Sequence, residues 1–286
     1  MSTRAEHPTP LNHPWRIAAL VAVVANVTFN CLDGRMGTHT QTVADVSAKY
    51  PSLLTPAGYA FAIWGLIYGS TLLYAVVALL PNQLNVRLHD RIAPWLVLTN
   101  ALASLWISLF TAEYLGPSVL VSGAMLTAVG MMYSIASEHL SSEQLSRRWR
   151  VPFALWLGWL SIATVANVSI ALVAAGWDGW PLSAPIWAAL MLCAVGLAAL
   201  AVDILFLDPV VPFVVSWAAA AIAVAHWQDS TLVAVVAAAV AVKTLLLATR
   251  VLAFNTSSAA RARSPRRVVL PRDWASTFGN VAENRR

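Results

Sequence analysis

The chain has 286 residues, 59% of them hydrophobic and only 11% charged, and its mean hydropathy is +0.68. A soluble domain carries about 25% charged residues, so this composition excludes a water-soluble globular protein and leaves an integral membrane protein. The net charge of +5 does not mark a nucleic-acid binder, because the cations fall in loops and in the tail, where membrane topology accounts for them.

Roughly 20 apolar residues in a helix span a bilayer core of about 30 Å. Eight stretches approach that length, at about 15–31, 56–80, 92–112, 117–138, 151–175, 184–206, 209–226 and 230–253. The first and seventh are the shortest, at 17 and 18 residues. The expected fold is all-α: a polytopic membrane bundle of about eight transmembrane helices. Residues 1–14, with prolines, His7, His13 and one arginine, carry no convincing cleavage site and read as a cytoplasmic lead-in. With that end inside, 15 of the 18 Lys and Arg fall in inner segments, Arg35 and Lys49 fall outside, and Lys243 lies within a span. Merging the sixth and seventh spans would put the arginine-rich tail outside, against that bias. Asp208-Pro209 and Pro212 supply the break between them.

The second span, from Thr55 to Leu80, holds no charge and is loaded with aromatics: Tyr59, Phe61, Trp64, Tyr68 and Tyr74. Phe61, Trp64 and Tyr68 are spaced to share one helix face. Such a face can line a pocket for a flat apolar ligand or simply pack against another helix. Before it lies a polar stretch, Leu32 to Thr55, the longest outer connection, expected to cover the mouth of the bundle. The tail from Asn255 is rich in Arg, Ser and Ala and reads as a disordered, basic segment held near anionic lipid.

Polar groups within a membrane need partners, so each is a lead. Asn26 and Asn30 share a face of the first span, Asn100 lies between Trp95 and Trp106, and Asn167 follows Trp156 and Trp159. These amides can link helices or meet polar atoms of a ligand. Asp203 and Lys243 are candidates for an ion- or proton-linked role, with snorkelling of Lys243, toward Asp203 or the inner face, as the plainer alternative. Cys31 and Cys193 lie in different spans and form no redox or metal spacing. No HExxH, GxSxG, Walker, GxGxxG or CxxC pattern occurs, and His39, His89, His139 and His226, read as lying in loops or at a span end, have no metal-ligand spacing.

The run Pro56-x-x-Tyr59-x-Phe61-x-x-Trp64-x-x-x-Tyr68 resembles the second-helix signature of the TspO/translocator-protein family, also called tryptophan-rich sensory proteins. Leu98-Thr99-Asn100 followed by Trp106 resembles its third helix, and Pro152-Phe153-x-x-Trp156, continuing to Asn167, its fifth. The chain departs from the pattern in spacing. Trp106 comes six residues after Asn100 where the family has a tryptophan three after, and Asn167 comes 15 after Pro152 where about 12 is usual, the expected place being held by Thr164. The Trp-Tyr-x-x-Leu-x-Lys-Pro stretch after the first helix is missing. The resemblance covers about 15–175 and implies a five-helix bundle there, with 176–254 as a three-helix extension and 255–286 as the basic tail.

What the resemblance implies is a cavity for a hydrophobic ligand of the tetrapyrrole class, lined by Tyr59, Phe61, Trp64, Tyr68, Trp106, Trp156 and Trp159 with Asn100, Thr164 and Asn167 as polar partners. It implies no certain cofactor beyond that ligand, a homodimer in a bacterial inner membrane, and a sensory or transport role. Rival readings are a secondary transporter using Lys243 and the last three helices, a porphyrin-modifying enzyme, and a scaffold whose aromatics only pack.

Overall fold

The computed structural model of the chain describes residues 13–36, 41–142 and 146–263, with side chains for 13–31, 41–140 and 146–253. The lead-in up to residue 12, His39, and the side chains of Arg35 and of the tail lie outside what is described. Residues 1–251 form one compact unit; 252–286 form a second, whose described part is helical. All regular structure among the described residues is helical.

The first pass is α1 (Pro14–Met36), and a short helix, α2 (Val43–Lys49), follows in the outer connection. A 3-10 turn at Gly58–Ala62 leads into α3 (Ile63–Val77), and α4 (Arg87–Thr111), α5 (Leu115–Ser142) and α6 (Val151–Ala174) complete the first part of the bundle. Then come α7 (Ala184–Phe206), α8 (Val210–Ala225) and α9 (Thr231–Arg263). Seven helical stretches among the described residues are long and apolar enough to cross a membrane, which makes this an integral membrane protein. The seventh expected span is the shorter helix α8: Pro209 caps it and His226 ends it, leaving 16 residues, about 24 Å of helix.

Despite that length α8 joins the two ends of the bundle. At one end Asp208 meets Arg150 at the start of α6, at 2.8 Å. At the other, His226 Nε2 lies 3.0 Å from the carbonyl of Thr55 in the outer connection. Its surface is largely alanine and valine and ten of its 16 residues are buried in the bundle, while Phe213, Trp217 and Val224 stay exposed. Gly158 of α6 makes the close approach possible, since a Cβ there would stand 2.9 Å from Val214 Cβ. The predicted break at Asp208-Pro209 is present: α7 ends at Phe206 and Leu207 turns the chain with φ +47°.

Two expectations need correction. His89 and His139 are not in loops but buried within α4 and α5, and His89 Nδ1 lies 2.9 Å from the Tyr74 hydroxyl. The chain beyond Asn255 does not lose structure at once, because α9 continues as helix to Arg263; the Ser-Ala run there favours helix as readily as coil.

The cations gather at one end. Arg16, Arg87, Arg91, Arg147, Arg148, Arg150 and Arg250 lie at or near the turns joining α3 to α4, α5 to α6 and α7 to α8, or at helix ends beside them. At the opposite end, among the described residues, Lys49 stands alone.

Candidate functional site

The end opposite the arginines holds a chamber. Its inner compartment, about 260 Å³, is walled by Phe61, Trp64 and Tyr68, by Trp106 of α4 and by Trp159 of α6. Asn30, Val43, Phe61 and Ile107 continue from it into an outer compartment of about 530 Å³ beneath α2. Helical spacing explains the aromatic wall: Trp64 and Tyr68 are one turn apart and stack with ring centres 5.3 Å apart and planes 26° off parallel. Trp159 closes the corner edge-on, 5.6 Å from Phe61 and 6.2 Å from Trp64. These are favourable aromatic geometries, and they leave a flat face for a conjugated ring.

Polar atoms around this wall fall into two groups. Asn26 Nδ2 donates to Asn100 Oδ1 at 3.1 Å, Asn30 and Ser104 donate to Asn26 Oδ1, and Asn100 Nδ2 donates to the carbonyl of Leu96. Asn100, 2% exposed, thus ties α1 to α4 and lines neither compartment. Asn167 accepts from Trp106 Nε1 at 3.2 Å and exchanges hydrogen bonds with Ser118. It lies beside a narrow cleft that also touches Phe61, Trp106 and Trp159. By contrast, the Trp159 indole N–H is buried with no acceptor. That nitrogen has essentially no accessible surface, so it points into packed protein and not at the chamber, and the Trp156 N–H in the core is in the same condition.

The remaining candidates lie elsewhere. Tyr59 is half exposed and sits edge-on to Trp217 of α8, because the 3-10 turn rotates it away from Phe61. Trp156 is fully buried in the core and lines neither compartment. Thr164 shares a 2.8 Å hydrogen bond with Ser122 and faces a separate groove toward α7. Asp203 is fully buried and pairs with Arg250 at 2.6 Å, not with Lys243, which is exposed on α9. Neither Asp203 nor Lys243 lines the chamber. Cys31 and Cys193 are free and exposed, and no metal-binding cluster occurs among the described residues.

The roof is the part that sequence reading missed in detail. Thr42 and Asp45 form a capping box that starts α2, and Val46 packs on Phe110, Leu115 and Ile170. Glu113, in the turn after α4, then latches it: Lys49 Nζ, the Tyr50 hydroxyl and Gln41 Nε2 all donate to its carboxylate at 2.5–2.7 Å. Behind the roof, Ser52 bonds Ser169, and α8 holds the chain through Ala57 N to Ala221 O, Trp217 Nε1 to Ala60 O and His226 to Thr55 O. One signal was available in advance: Glu113 is an acid in a short outer turn, and outer cations to pair with it are scarce.

The latch has a calculable pH range. The hydrogen bond from Lys49, then those from Tyr50 and Gln41, hold the Glu113 carboxyl down at about 2 against an ordinary 4.5, while Glu113 raises Lys49 above 10.5. An acid with a depressed folded pKa stabilises above its ordinary value and loses that contribution as pH falls toward the folded one. Amide protection in α2 is therefore expected to be flat from about pH 5 to about pH 9 and to fall below about pH 4. Glu113→Ala should lower it across that whole range in hydrogen-exchange measurements. Equal protection in wild type and variant would show that the latch does not hold α2.

A family model described as TSPO-like protein matches residues 16–250, a stretch running from the start of α1 into α9. Comparison with curated proteins and with solved structures gives no match. With four-fifths of its length covered by that one match, the chain belongs to the TSPO-like protein family.

Proposed function

We propose that this protein binds a flat, largely apolar ligand of the tetrapyrrole class in the chamber beneath α2, as a membrane receptor or carrier. Membership of the TSPO-like family supports a ligand-binding or transport role in the membrane. The observation that carries the finer reading is the wall itself. Five aromatic rings from three parts of the fold surround one compartment. Stacking and apolar burial supply affinity for a conjugated ring. The basic end is the cytoplasmic one by the positive-inside rule, so the chamber opens to the other side.

Titration of the purified protein with protoporphyrin IX, followed by quenching of tryptophan emission, tests this. Trp64→Leu removes a ring from the wall, and a lost aromatic contact of about 1 kcal/mol weakens binding about fivefold. Tyr59→Phe, outside the chamber, leaves binding unchanged. Absence of quenching in the wild type, or equal affinity in both variants, would remove the tetrapyrrole reading.

A further inference from the structure

At the basic end, away from the chamber, a groove of about 400 Å³ lies between the end of α3, the turn at 81–83 and the start of α6. Its wall has two parts. Leu73, Val77 and Pro152 make an apolar slot, and Leu73 is 64% exposed on α3. Asn82, Gln83 and Arg148 make a polar rim at the mouth. Arg148 differs from its neighbours: Arg16, Arg91, Arg150 and Arg250 have Asp90, Glu138, Asp208 and Asp203 respectively within ion-pair distance. Among the described residues no carboxylate pairs with Arg148, whose guanidinium lies 5.0 Å over the Trp149 ring.

We infer that this groove binds an anionic phospholipid, with the phosphate on Arg148 and the rim amides and an acyl chain along Leu73, Val77 and Pro152. A guanidinium presents paired donors suited to phosphate oxygens, and side-chain amides complete the set. The apolar slot, open to the bilayer, selects a lipid over a soluble phosphate. Among the described residues no acidic side chain lines the groove, so a zwitterionic headgroup would leave its ammonium without a partner. Basic pockets between helices at the inner face are where such headgroups bind. This inference does not depend on what occupies the chamber.

Native mass spectrometry of the full chain in mild detergent tests it, with phosphatidylglycerol and phosphatidylcholine of identical chains as probes. The wild type is expected to retain one phosphatidylglycerol at least tenfold more tightly than phosphatidylcholine. Arg148→Gln should abolish that preference. Arg87→Gln, an exposed cation outside the groove, should keep it, and Val77→Phe, which narrows the slot, should weaken retention several-fold without altering unfolding. Equal retention of the two lipids, or equal loss in Arg87→Gln, would overturn the proposal in favour of a diffuse basic surface. Displacement of the lipid by an equal concentration of glycerol 3-phosphate would overturn it in favour of a free-phosphate site.

Discussion

Replacing Arg16 with alanine is expected to destabilise the protein by about 3–5 kcal/mol, the range for removing one partner from a buried polar network. Arg16 is 1% exposed, near the start of α1, and every nitrogen of its guanidinium is engaged. Nε and one terminal nitrogen donate to Asp90 at 2.7 and 2.8 Å. The terminal nitrogens also reach the carbonyls of Ala78, Gln83, Leu84 and Val86, at 2.9 to 3.1 Å. Those carbonyls belong to the end of α3 and the turn into α4, where helix termini leave acceptors that need partners. Because the Asp90 side chain is 45% exposed, most of the cost lies in the stranded carbonyls and not in the ion pair. Two consequences follow. Asp90→Asn should cost only about 1 kcal/mol, and Arg16→Lys should cost nearly as much as Arg16→Ala, because an ammonium cannot reach four separated acceptors. Unfolding in one detergent decides this: a lysine variant close to wild type would mean that charge, not the guanidinium fork, holds α1 in place.

Arg16 also shows what the sequence could and could not disclose. Its position before an apolar run marked it as an inner cation, but its partners lie 62 to 74 residues away, and nothing local names them. The passes were legible because length and apolarity are properties of one segment, and the Phe61, Trp64, Tyr68 face was legible because helical geometry fixes which residues of one helix share a side. Trp156 and Trp159 show where that logic stops. Both are buried on α6, which meets neighbours on several sides, so spacing alone cannot tell the chamber wall from the core. The roof helix escaped notice because it has seven residues and buries only Val46, although Thr42-x-x-Asp45 is a start signal that can be read in advance. Asp203 and Lys243 stood out as intramembrane charges, yet the partner Asp203 finds is Arg250, two turns beyond Lys243.

Asp208→Ala is the second substitution expected to cost about 3–5 kcal/mol, and here the effect should reach the chamber. One carboxylate serves three elements: Oδ2 takes Arg150 Nε at 2.8 Å and the Tyr133 hydroxyl at 2.9 Å, while Oδ1 takes the Val210 N–H at 2.7 Å and so starts α8. The side chains of Asp208 and Arg150 are 2% and 7% exposed, so the alanine variant strands a buried guanidinium. Arg150 keeps the weaker bonds at 3.3 Å to Phe206 O and Ser137 Oγ and its place 5.3 Å over the Tyr133 ring. If the cost is mainly that stranded charge, Arg150→Met combined with Asp208→Asn should unfold at milder loss than the sum of the single variants, because asparagine keeps an acceptor for Val210 and no charge is left alone. From its middle to its far end α8 carries Trp217, Ala221 and His226, the three anchors of the chain between Thr55 and Ala60. Loosening its start should therefore loosen the back of the roof, and Asp208→Ala is expected to weaken porphyrin binding severalfold at a temperature where the variant is still folded. Unchanged affinity together with the full stability loss would show that α8 braces the bundle without reaching the chamber.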